Sequence, residues 1–247
     1  MCFLAAGVAL AQGKITGLSQ LTGKKVAVPR GTMAGSFVQE RLPKAKLVYF
    51  QDTEACVKGL RAGKVDAVAY DEPVLRNYLR NSTDLAILDE PVRKDTYAVV
   101  IDFKRKDLLA FVNQKIDELT QDGTLKKMDA YWFSTKGDLP GMPGSIWDEK
   151  AEKELVLATF PHVVPFSFKD KDAVIGFDIE FAGRLAAGLG AKLVIKEEVS
   201  FEQMLVSVAT GKVDIGAACI TVTPERGRLV RFSKPYYIGG IAVMVRK

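Results

Sequence analysis

Short runs of β-branched and aromatic residues alternate along the chain with stretches whose apolar positions recur at helical spacing. Lys25–Val28, Lys46–Phe50, Asp66–Tyr70, Thr96–Ile101, Glu154–Thr159, Lys192–Lys196, Asp214–Ile220 and Ile241–Val245 read as strands. Leu108, Leu109, Val112, Ile116 and Leu119 form a helical stripe, broken at Gly123 and followed by a short helix ending in Tyr131–Trp132–Phe133. This alternation predicts α/β layers built on parallel strands.

One pattern occurs twice. Ala55 to Val68 reads as a helix, a glycine stop and a buried strand, with Gly63–Lys64–Val65–Asp66 in the turn. Phe201 to Gly216 repeats it around Gly211–Lys212–Val213–Asp214. Each glycine suits the left-handed position that ends a helix, and Ser200 with Gln203 forms a capping box at the second helix's start. Two similar α/β lobes are the simplest account. Between them, Ser134 to Gly144 holds three Gly and two Pro without periodicity and reads as a linker.

Composition narrows the function. A chain of 247 residues, 48% hydrophobic and 26% charged, suits one large globular domain or two small ones. The formal charge of +5 comes from basic residues scattered among acids, with no basic stripe, which argues against nucleic acid as a partner. Phe3 to Ala11 is an apolar run ending in the small-x-small pattern Ala9–Leu10–Ala11. It reads as the end of a signal peptide cut after Ala11 or as a buried first element; its alanine content and abrupt polar sequel favour export. Three Cys without a CxxC and a single His indicate neither a zinc site nor a disulfide framework, and no cofactor is expected.

Three segments carry candidate chemistry. In Cys219–Ile220–Thr221–Val222–Thr223–Pro224–Glu225–Arg226 a strand ends and a helix start is written, with Thr223 as cap and Pro224 at the first helical position. Free N–H groups there attract an anion, and Arg226 can close on a carboxylate with two parallel bonds; a capped surface helix with a solvated Arg fits equally. Gly31–Thr32–Met33–Ala34–Gly35–Ser36 is a strand-to-helix loop able to face an anion, or a plain βα turn. Asp71 follows a buried strand, where a carboxylate points into the crevice at a parallel sheet's edge and suits an ammonium partner; it can also cap the next helix.

Together with Leu155–Ala158, Pro165–Phe166–Ser167–Phe168, Gly176–Phe177–Asp178–Ile179, Phe232–Ser233–Lys234–Pro235–Tyr236–Tyr237, Gly23–Val28 and Asp122–Gly123–Thr124, these segments resemble the amino-acid-binding substrate-binding proteins of ABC transporters. The resemblance implies an α/β, two-lobed periplasmic-binding-protein type II (Venus-flytrap) fold. It also implies a ligand α-carboxylate on Arg226 with Thr221, the main chain at Cys219 and the Gly31–Thr32 loop, and an α-ammonium on Asp71. Phe160, Val163 and Phe201 are expected to line the side-chain pocket, with His162 at its rim. Cys219 stands where the family commonly has Gly or Ser, and Val163 where it usually has an aromatic.

The lobe order departs from the family, which suggests a circular permutant or a piece spanning two tandem modules. The expected layout is a truncated signal peptide over 1–11, lobe B over 16–95, lobe A helices over 96–133, a linker over 134–146 and the main part of lobe A over 147–247. A hinge is expected near Lys94–Tyr97. The implied function is extracytoplasmic, periplasmic binding of a free amino acid for an inner-membrane ABC permease, without enzymatic turnover. The alternatives are a cyclohexadienyl or arogenate dehydratase on the same scaffold, with Glu198 or Glu202 as its acid, and the sensory module of a larger receptor.

Overall fold

Two Gly-Lys-Val-Asp turns build the same corner in two sheets. The computed structural model describes residues 14–80, 82–134 and 137–247; the expected signal peptide lies outside them. In chain order the elements are β1 (Lys25–Pro29), α1 (Ala34–Arg41), β2 (Lys46–Phe50), α2 (Thr53–Arg61), β3 (Ala67–Asp71), α3 (Glu72–Asn77), β4 (Leu85–Ile87), β5 (Arg93–Tyr97) and β6 (Val100–Ile101). They continue with α4 (Lys106–Gln121), α5 (Thr124–Trp132), β7 (Lys153–Thr159), β8 (His162–Val163), β9 (Ser167–Asp170), β10 (Ala173–Ile175) and α6 (Phe177–Gly188). The last are β11 (Ala191–Glu197), α7 (Phe201–Ala209), β12 (Ile215–Gly216), β13 (Arg231–Phe232) and β14 (Tyr237–Arg246).

One sheet has the order β2-β1-β3-β14-β4, with β5 also paired to β14. The other has the order β11-β7-β12-β6-β13. In each, three parallel strands are followed by an antiparallel one, β14 in the first and β6 in the second. The corners explain the match. Gly63 and Gly211 both take a left-handed φ, near 70°, which glycine adopts without a side-chain penalty. Asp66 then accepts the Lys25 N–H at 2.8 Å and returns its own N–H to the Lys25 carbonyl. Asp214 does the same with Val156, at 2.9 Å, and also holds Arg105 at 2.7 Å. Each aspartate thereby fixes the register of a central strand. Asp214→Ala is expected to lower stability by about 1.5–3 kcal/mol, the range for hydrogen bonds to charged groups, and Asp66→Ala by less, because its bond is exposed. Urea titration of both variants measures the difference.

The chain crosses between the sheets twice. It passes from β5 to β6, and again from β13 through Ser233–Tyr236 to β14. The crossings lie side by side: Tyr236 N–H donates to the Tyr97 carbonyl and Ser233 N–H to that of Val99. Thr96–Ile101, expected as one strand, is therefore a crossing that serves both sheets. The strand expected over Asp214–Ile220 keeps only Ile215–Gly216, because the backbone beyond turns away from the ladder to make the contacts described below. Lobe A, expected to hold all of 147–247, gives up β14 to the first sheet, where Ile241–Val245 pairs with β3 and is buried.

Candidate functional site

Asp71 ends β3, whose five residues are all buried. Its side chain does not cap α3. Instead the Tyr97 phenol donates to Asp71 Oδ1 across the crossing. Burial pushes the Asp71 carboxyl up to about 7; Tyr97 and Arg226 oppose that rise, and neighbouring Asp95 adds to it.

Arg226 approaches from the other lobe. The helix written at Thr223–Pro224 is only a single 3-10 turn, Arg226–Arg228. Gly227 is its central residue and β13 begins three residues after the turn, so a macrodipole contributes nothing to anion binding there. The local links that remain hold the arginine. Thr223 Oγ1 accepts the Arg226 N–H at 3.3 Å, and Arg226 Nη1 donates to the Thr221 carbonyl at 3.1 Å. Burial lowers the guanidinium's pKa, against the opposing fields of Cys219, Asp71, Tyr70 and Glu202. Asp71 and Arg226 thus lie within each other's field without forming an ion pair among the described contacts.

Cys219 is buried within the fields of both. Its φ of 44° is left-handed, an unusual state for a side-chain-bearing residue. The Cys219 N–H donates to Asp178 Oδ2 at 2.8 Å. Asp178 in turn accepts the Tyr236 phenol at 2.7 Å on its other oxygen, and burial pushes its carboxyl up to about 7. Each crossing therefore places one tyrosine on one buried aspartate.

Beside this cluster lies a cavity of about 290 Å³ between the lobes. The first lobe contributes Pro29–Thr32, Gln51–Thr53 and Tyr70; the second contributes Phe160, His162 and Val199–Glu202. Of the expected pocket residues, Gly31, Thr32, Phe160 and Phe201 meet here. Phe160 and Phe201 pack at 5.1 Å, and Arg226 Cζ lies 5.9 Å from the Phe201 centroid, which joins the cavity to the charged cluster. Val163 does not line it. In β8, successive side chains face opposite ways; exposed His162 takes the cavity side and Val163 is buried in the core. The Thr32 hydroxyl donates to the Pro29 carbonyl at 2.9 Å and stabilises its own loop. Arg30 and Asp52 add charge that spacing alone did not assign to this wall, and Glu202, one of the two acids weighed for a dehydratase, also lines it. Glu198 is turned away, held by Ser207 at 2.6 Å and Lys196 at 3.1 Å.

Residues 155–247 match the family model of bacterial extracellular solute-binding proteins, family 3. That stretch carries a solute-binding-protein pattern. The arginine-binding extracellular protein ArtP of Bacillus subtilis is 30% identical over 99 residues, covering 40% of this chain and 38% of that protein. The L-cystine-binding protein TcyJ of Escherichia coli is 28% identical over 123 residues, covering 49% and 46%. The chain thus spans less than half the length of these two relatives. Among solved structures, the VFT2 domain of Bordetella pertussis BvgS aligns with 90% of this chain and 80% of its own, with a TM-score of 0.45 and 14% identity. The family match covers residues 155–247, and the two relatives named for binding arginine and L-cystine each match less than half of this chain.

Proposed function

We propose that the protein binds one free amino acid between its lobes, outside the cytoplasm, and presents it to an inner-membrane ABC permease. The observation that carries this reading is a cavity lined by both lobes, beside which Asp71 from one lobe and Arg226 from the other lie within reach of each other's charge. In it, the ligand's α-ammonium meets Asp71, and its α-carboxylate meets Arg226, Thr221 and the Gly31–Thr32 loop. Its side chain lies against the packed Phe160–Phe201 pair, and apolar or mid-sized polar side chains suit that aromatic part of the wall best. Closing such a cleft needs a few residues that absorb the change in backbone angles, and the paired crossings are the place for them. A permuted lobe order is supported by the order along the chain: β1–β5 precede the family-matched stretch, whose last strand, β14, crosses into their sheet.

Thermal-shift measurements against the common amino acids test the reading. A ligand at a thousandfold excess over Kd stabilises by about 4 kcal/mol, which raises Tm by roughly 8–16 °C for a chain of this size. No shift with any amino acid refutes it. Turnover of prephenate or arogenate, with Glu202 as the free acid in the cleft, would place the protein among dehydratases instead.

A further inference from the structure

Tyr97 stands where the two crossings and the acid meet. It is fully buried on β5. Its phenol donates to Asp71 Oδ1 and accepts the Gly240 N–H at 3.3 Å. The ring covers Gly239, where an added Cβ would lie 2.6 Å from the phenol oxygen and 2.7 Å from Cζ. Tyr237 stacks on the ring at 5.8 Å with planes 6° apart, and Phe166 meets it edge-on at 5.6 Å. One side chain at the end of β5, where the first crossing begins, is thus bonded both to the backbone of β14, the strand that the second crossing enters, and to the first lobe's acid.

We propose that Tyr97 is a positioning residue that ties Asp71 to the hinge, so that seating a ligand's ammonium group and setting the two crossing strands are one event. The inference rests on the ammonium reading of Asp71. Its logic is electrostatic and geometric. The groups facing Asp71 are Tyr97 and Asp95 from β5, and Arg226 from the turn in the other lobe, with Cys219 and Tyr70 packed nearby. A donor phenol favours the ionised carboxylate, the form that holds an ammonium group. The donor is fixed to Gly240 as well. A sliding motion of one crossing against the other therefore strains either the bond that charges the acid or the bond that joins the strands.

Tyr97→Phe keeps the ring over Gly239 and against Tyr237 while deleting both hydrogen bonds. Kd for the tightest amino acid is measured from about pH 5.5 to 8.5 on wild type and variant. Asp71 must be ionised to hold the ligand, so wild-type binding weakens as pH falls through about 7. Loss of the phenol moves that fall upward. The variant is expected to bind about tenfold more weakly at pH 7 for each unit of displacement, and to approach wild type near pH 8.5. Gly239→Ala, whose Cβ displaces the phenol without changing Tyr97, is expected to move the profile the same way. A purely packing role would give an equal loss at every pH, and that result, or a profile coinciding with wild type, overturns the proposal. Wild-type protein that binds no amino acid overturns the site reading as well.

Discussion

Arg226→Ala is expected to weaken amino-acid binding by roughly thirty- to several-thousandfold, and Asp71→Asn by a comparable factor. Removing one partner of a buried charge pair leaves the ligand's own charge buried alone, at about 2–5 kcal/mol. Neither side chain supports a core, and circular dichroism should show both variants folded. The two differ in the ligand-free protein. Unfolded, Asp71 ionises near its ordinary 3.8; folded, it ionises at about 7. Between those values the folded state holds a proton that the unfolded state has lost, so stability falls as pH rises through this window. Above about 7 the full cost of the buried carboxylate is present. Asp71→Asn should therefore raise ligand-free stability at pH 8, on the order of 1–4 kcal/mol, while it destroys binding. Calorimetry and urea titration on the same variant check both halves. Near wild-type affinity in either variant would mean that its residue only furnishes a turn.

That opposition between stability and binding also separates what was legible in the sequence from what was not. The repeated turn was legible because its glycine, free to take a left-handed φ, acts locally; the partners of Asp66 and Asp214 lie 41 and 58 residues away and were not legible. Lys46–Phe50 was legible to the residue, since its apolar run is bounded by turn formers. Asp214–Ile220 misled because small and β-branched residues resemble a strand from either side. Ala217 still donates its N–H to the Ala158 carbonyl, but beyond it an acid 41 positions away claims the Cys219 N–H. No periodicity carries that information.

Tyr97 was hidden for a related reason. Within Thr96–Ile101 it is one apolar position among several, and burial alone assigns it to a core. Its second partner, Gly240, lies 143 residues away. The one signal within reach was the Gly239–Gly240 pair inside a strand otherwise rich in Ile, Val and Met. Glycine in a strand interior weakens it and marks a close approach of other atoms. Asp71 and Arg226 stood out as candidates because each ends a local motif. Their nearness in space depends on the two crossings.

Gly240→Ala is expected to cost about 2–6 kcal/mol of folding stability, combining backbone strain and overpacking, and separates the two glycines by mechanism. Gly240 has a φ of 149°, and a Cβ there would lie 2.1 Å from the Arg93 carbonyl oxygen and 2.8 Å from Lys94 Cα. Both obstacles are backbone atoms of β5, held by a ladder that runs from Arg93↔Ile241 to Tyr97↔Tyr237. They cannot move aside as a side-chain tip can. To make room, β14 must part from β5, and the pairing of β14 with buried β3 is strained along with it. At Gly239 the obstacle is the Tyr97 ring, so the fold survives at the expense of the Asp71 hydrogen bond. The expected pattern is therefore a lowered urea midpoint for Gly240→Ala and a changed pH profile of binding for Gly239→Ala. An unchanged midpoint for Gly240→Ala would show that the crossings pass at a greater distance, and that the hinge does not depend on their close backbone contact.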